Sequence, residues 1–164
     1  MRPASDRRLV IGDDHLAAIR SHAEEGYPDE VCGFLLGRVE VFTRIFVTSD
    51  LRQAPNLRAD AARNRYLIDP EEYRAAERDA AERGLDLIGV YHSHPDAAAS
   101  PSVYDRDHAW PFTAYVIVSV ERGAVRELSA WVLADDRSEF VPLAMEAAAS
   151  DRTVRSIGGM TGGT

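Results

Sequence analysis

Two periods of apolar residues can be separated along the chain. Arg8 to Ile11 is a short apolar run, after which Asp13 or Asp14 reads as the cap of a helix whose Leu16, Ile19 and Ala23 share one face. Pro28 closes that helical region. An apolar strand bounded by glycines follows the acidic pair Asp29-Glu30, running from Val31 through Phe34, Leu35 and Leu36 to Gly37. From Arg38 to Thr48 the set Val39, Val41, Thr43, Ile45 and Val47 alternates with period two, which predicts a second strand forming a hairpin with the first. Ser49 to Asn64, with Pro55, Asn56 and several arginines, reads as a surface loop, and Arg65 to Ile68 as a short strand.

The second half has stronger signals. Asp69-Pro70-Glu71-Glu72 supplies a cap, a proline at the first helical position and early acids, so a helix is expected through Tyr73, Ala76 and Ala80 to a stop at Gly84. Leu85 to Tyr91 is almost unbroken apolar sequence leading into His92, as in a central strand buried on both faces. Ser102 opens a helix reaching about Trp110, and Ala114 to Val120 is another buried strand. A turn at Glu121-Arg122-Gly123 returns the chain as Val125 to Leu133, and Phe140 to Leu143 is a last strand. Helices between strands followed by late hairpins predict an α/β sandwich, one curved mixed β-sheet flanked by helices. A domain over 1–143 is expected, with an Ala- and Gly-rich, mobile tail over 144–164.

Composition narrows the class without naming a substrate. With 45% hydrophobic and 28% charged residues the chain fits an ordinary globular domain. A net charge of -8 argues against a general nucleic-acid footprint. No segment approaches the ~18 apolar residues of a membrane span, and Met1 to Arg8 leads into no signal-peptide core. The lone Cys32 makes no internal disulfide, which fits a cytoplasmic protein, monomeric or homodimeric.

The candidate chemistry is in Val90-Tyr91-His92-Ser93-His94-Pro95 and Ser102-Val103-Tyr104-Asp105. In a strand, residues two apart share a face, so His92 and His94 point together while Ser93 points away. Pro95 ends the ladder, Ser100-Pro101 turns the chain, and Ser102 with Asp105 reads as a capped helical turn returning a carboxylate to the same place. Either motif alone is ordinary: a pair of strand histidines, a helix cap. Together they offer two imidazoles and one carboxylate, a normal ligand set for a catalytic zinc with its fourth position open. Such a zinc needs a general base, for which position alone leaves Glu30 and Asp29 nearly equal candidates at the mouth of an apolar strand.

The glutamate of Pro28-Asp29-Glu30-Val31-Cys32-Gly33, then His92-Ser93-His94-Pro95, then Ser102-Val103-Tyr104-Asp105 together resemble the JAMM (MPN+) metalloprotease signature, from about Leu9 to Leu133. The resemblance implies a JAMM/MPN-like fold, His92, His94 and Asp105 as zinc ligands, Glu30 as acid/base, and Ser102 as a hydroxyl that helps bind the oxyanion. It further implies hydrolysis after the Gly-Gly terminus of a ubiquitin-like or sulfur-carrier protein. Release of ubiquitin-like modifiers from lysine is an alternative, and a non-catalytic MPN scaffold another. Gly158-Gly159 and Gly162-Gly163 in the tail resemble the termini such an enzyme would take. There is no His-Glu-x-x-His and no Pro-Cys-x-x-Cys, so other zinc hydrolase and deaminase patterns fail. Cys32, His15, His22 and His108 are read as structural or surface residues.

Overall fold

Strand β4, Asp86–Pro95, is the spine of the structure, a computed structural model that describes residues 7–57 and 66–148. Its run from Ile88 to His94 is buried, as the apolar sequence before His92 requires. Around it lie β1 (Arg8–Ile11), α1 (Asp13–Gly26), β2 (Cys32–Glu40), β3 (Ile45–Ala54), α2 (Pro70–Glu82), α3 (Val103–His108), β5 (Ala114–Glu121), β6 (Ala124–Leu133) and β7 (Phe140–Ala147). The sheet order is β1-β3-β2-β4-β5-β6-β7, and it closes because β1 pairs in parallel with both β3 and β7. The one curved mixed sheet expected from the sequence is thus curved far enough to meet itself. β4 runs antiparallel to β2 and parallel to β5.

Period two divides the core. Val116, Val118 and Val120 of β5, with Tyr91 of β4, pack with Ile19 and Ala23 of α1. Val90, Tyr115 and Phe34 face the other way, onto Ala76 and Ala80 of α2. Full burial of side chains such as Phe34 or Leu35 contributes about 1.5–3 kcal/mol each. Alternation along β4 therefore puts His92 and His94 on the α2 face. Asp69 caps α2 by accepting from the Glu71 N–H, and Gly84, at φ 67, ends it in the left-handed conformation that glycine adopts without strain.

Several local expectations are corrected. No side chain caps α1; Gly12 holds the cap position, and Asp13 and Asp14 lie in the first turn, where their charge favours the helix N-terminus. The β2–β3 hairpin turns at residues 41–44 rather than at Gly37, leaving Val41 and Phe42 exposed. Arg44 makes that turn at φ 56 without the glycine that usually marks it. Ser49 to Ala54 is strand, because β2 pairs with it as far as Cys32↔Ala54. Tyr66 to Ile68 is irregular rather than strand, and Arg65 lies outside the described residues. Ala144 to Ala147, read as the start of the tail, extends β7, since β1 supplies pairing through Ile11↔Ala147. Residues 149–164, with both Gly-Gly pairs, lie outside the described residues. Among the described residues no helix is long and apolar enough to cross a membrane.

Candidate metal centre

The end of β4 brings the imidazoles of His92 and His94 face inward, with their Nε2 atoms 3.0 Å apart. His94 is oriented by Nδ1, which lies 2.8 Å from the Ala98 carbonyl. A carbonyl only accepts, so Nδ1 carries a proton there and Nε2 is turned to His92. The connecting loop is anchored through its backbone. The Asp96 N–H donates to the Val120 carbonyl at 2.6 Å, and the Ser119 hydroxyl donates to the Ala97 carbonyl at 2.6 Å.

The loop delivers Ser102 to the start of α3 with a reciprocal capping box. The box leaves the Asp105 carboxylate directed at the histidines: Oδ1 is 3.2 Å from His92 Nε2 and Oδ2 is 3.2 Å from His94 Nε2. From the other side, register Cys32↔His92 places the residues just before β2 over the same point. Glu30 is buried there, and it, His92 and His94 offer ligand atoms all within 4.8 Å of one another. Asp29, the rival by position, belongs to no such group among the described residues. The structure thus brings Glu30, His92, His94, Ser102 and Asp105 to one end of β4.

A family model described as prokaryotic homologs of the JAB domain matches residues 12–134. The chain belongs to that family. Its extent agrees with the stretch that carries the JAMM/MPN+ resemblance. The chain is 38% identical over 117 residues to a desampylase of Haloferax volcanii, covering 68% of this chain and 81% of that protein. It is 30% identical over 133 residues to the CysO-cysteine peptidase of Mycobacterium tuberculosis, covering 77% and 84%. A protein from Salinibacter ruber solved in solution is 42% identical, covers 88% of this chain and 93% of its own, and superposes with a TM-score of 0.67.

In this JAB-domain protein the donor set fits a divalent cation. Glu30 Oε2 is buried without a hydrogen-bond partner among the described residues, and two imidazoles and carboxylate oxygens converge beside it. Burial pushes the Glu30 carboxyl up to about 8, with the Asp105 charge adding to the rise and His94 opposing it. Asp105 is also buried, which raises it, but hydrogen bonds from His92, His94 and the Ser102 N–H hold it well below the usual carboxylate range. Burial lowers His92. It lowers His94 too, yet there the Asp105 carboxylate and the Ala98 carbonyl prevail and the net direction is up.

Ser102 is exposed, and its Oγ accepts from the Asp105 N–H at 3.1 Å, which leaves the hydroxyl proton to donate elsewhere. Ser102 lines a cleft of about 320 Å³ together with Glu30, His94, Ala98 and Ser100.

Three neighbours escaped the sequence reading. The Tyr66 ring stacks on His92 at 4.4 Å and 23°, and Asn56 and Ser93 bond around Glu30. Tyr66 reads in the sequence as part of a short strand and of the segment Tyr66-Leu67-Ile68-Asp69-Pro70 that resembles the family, with nothing there to place its ring on His92. Cys32 is fully buried, its thiol directed at the Ala54 carbonyl at 3.6 Å and pushed up to about 12 by burial and the Glu30 charge, an unreactive setting. His108 turns back to the Tyr104 carbonyl at 2.9 Å, and His22 bonds the Tyr91 hydroxyl at 2.7 Å.

Proposed function

We propose that the protein is a zinc-dependent metallopeptidase that hydrolyses the peptide or isopeptide bond after the Gly-Gly terminus of a ubiquitin-fold, sulfur-carrier type protein. The observation that carries this reading is the meeting of Glu30, His92 and His94 within 4.8 Å, with Asp105 3.2 Å from both imidazoles, at a cleft that Ser102 also lines. The names of the relatives, a desampylase and a CysO-cysteine peptidase, support the same class of substrate.

His92, His94 and Asp105 would hold the ion, which when bound supplies Lewis acidity and lowers the pKa of a water toward ~7. Glu30 takes a proton from the attacking water and returns it to the departing amine. The Ser102 hydroxyl donates to the oxyanion that forms on the scissile carbonyl. The closed end of β4 and the Tyr66 ring exclude bulk water from His92. A scaffold that only binds partners needs none of these side chains, so their assembly weighs against the non-catalytic alternative.

The test is incubation of the zinc-loaded protein with ubiquitin-like carriers extended past Gly-Gly, by one amino acid or through a lysine isopeptide. Mass spectrometry should show trimming back to Gly-Gly, and none with Glu30→Gln. Intact carriers under all conditions would remove the proposal.

A further inference from the structure

The peptide group joining Glu30 to Val31 is held at both polar ends by side chains from elsewhere in the chain. Its carbonyl, on Glu30, accepts from Asn56 Nδ2 at 3.1 Å. Its N–H, on Val31, donates to Ser93 Oγ at 2.9 Å. The ladder between β2 and β4 ends at Cys32↔His92, and neither the carbonyl nor the N–H of this peptide is bonded to a β4 backbone group. In a continued ladder the Val31 N–H would turn to the Ser93 main chain; the serine hydroxyl takes it instead, while the Ser93 N–H still donates to the Val31 carbonyl at 3.0 Å. Ser93 is wholly buried, lodged between the two imidazoles in sequence and beneath them in the sheet. Asn56 has a second duty, accepting from the Leu67 N–H at 3.0 Å, which ties the Glu30 carbonyl to the segment bearing Tyr66.

The need for such a clamp is physical. The Glu30 carboxylate has Oε2 without a hydrogen-bond partner among the described residues, so nothing observed at that oxygen fixes its direction. Its placement near His92 and His94 then depends on the position of the backbone that carries it. A backbone shift of about 1 Å at such a group is enough to cost on the order of 10²-fold in rate.

We propose that Ser93 and Asn56 clamp the Glu30–Val31 peptide and are the positioning residues of the Glu30 carboxylate. This rests on the function proposed above only for its kinetic consequence; the geometric consequence is independent of it. Ser93→Ala removes the acceptor for Val31. Asn56→Asp keeps the acceptor for Leu67 but replaces the donor to Glu30 with an oxygen, and it changes a partly buried loop residue, so it carries the test where the buried Ser93 variant fails to fold.

Crystal structures of the wild type and of the two variants decide the geometry. The expected result is a Glu30 carboxylate displaced by about 1 Å or more relative to His94, with His92, His94 and Asp105 unmoved. An unmoved carboxylate in a folded variant overturns the proposal whether or not the protein proves to be a peptidase.

Steady-state kinetics on a carrier extended past Gly-Gly give the second reading. The zinc-loaded variants should lose about 10- to 100-fold in kcat at unchanged zinc content and with KM within about twofold, and Ser93→Thr should recover most of the loss. A loss of kcat that comes with a comparable fall in zinc content, or that Ser93→Thr does not recover, would mark a general structural effect and contradict the clamp.

Discussion

Ser102 and Asp105 hold each other in place: the Asp105 N–H donates to Ser102 Oγ at 3.1 Å, and the Ser102 N–H donates to Asp105 Oδ2 at 2.8 Å. The same carboxylate that caps the helix faces both imidazoles, so a local folding motif and the centre share one side chain. Ser102→Ala removes both the cap acceptor and the proposed oxyanion donor. It should lower stability by about 1 kcal/mol. It should lower kcat by roughly 10²-fold or more with bound metal retained. Thermal melts, metal content and turnover of a Gly-Gly-extended carrier measure the three effects separately, and Ser102→Thr should restore the first and much of the last.

Tyr66 contributes a ring to the centre. It lies stacked on His92 at 4.4 Å and 23°. Replacing Tyr66 with Ala should weaken zinc affinity by about 10-fold or more, because outer contacts of this kind orient a metal-ligating imidazole. Tyr66→Phe keeps the ring and should change it little. Competition with a chelator of known affinity would show the difference.

Gly33 leaves space for the Tyr91 ring, which a Cβ on Gly33 would penetrate. Tyr91 is fully buried and bonded through its hydroxyl to His22 on α1. Gly33→Ala should therefore destabilise by about 1–3 kcal/mol, as overpacking does. Urea unfolding should show a lower midpoint with an unchanged slope.

Asp96 opens the loop after Pro95 at φ 53 and accepts from the Arg122 N–H at 3.0 Å and the Tyr27 hydroxyl at 2.7 Å. These bonds, the Arg122 N–H first, lower its pKa from the ordinary carboxylate value. A group depressed on folding stabilises the folded state above its unfolded pKa of ~3.9, and that stabilisation is lost as pH falls through the lower folded value. The stability difference between wild type and Asp96→Asn should thus be full near neutrality and shrink below about pH 4. A difference that grows toward acid would contradict the assignment.

How far the centre could be read from the sequence follows from the range of the interactions. His92 and His94 are set by the strand period, and Ser102 with Asp105 by a cap that spans three residues, so both were legible locally. Glu30 was not separable from Asp29 by position. Only the JAMM resemblance selected it, and the fold explains why, since register with β4 determines which acid faces the histidines. Ser49 to Ala54 reads as loop because its polar residues show no alternation, yet its strand state comes from β2, far away in the pairing rather than in the sequence. Val41 and Phe42 err in the opposite direction: they extend the apolar period while lying exposed in a turn. The closing of the sheet through β1 depends on a partner more than a hundred residues distant, as Ile11↔Ala147 shows, and no local pattern announces it.

The division of labour proposed for the two buried carboxylates, Asp105 as ligand and Glu30 as base, is tested most directly by metal content. Zinc per chain should be measured by mass spectrometry under native conditions or by elemental analysis for wild type, His92→Ala, Glu30→Gln and Asp105→Asn, each confirmed to be folded. Wild type and Glu30→Gln should each hold about one zinc, with Glu30→Gln unable to cleave, while His92→Ala and Asp105→Asn should hold little or none. An Asp105→Asn protein that keeps its zinc beside a Glu30→Gln protein that loses it would contradict the account, for Glu30 would then be the ligand.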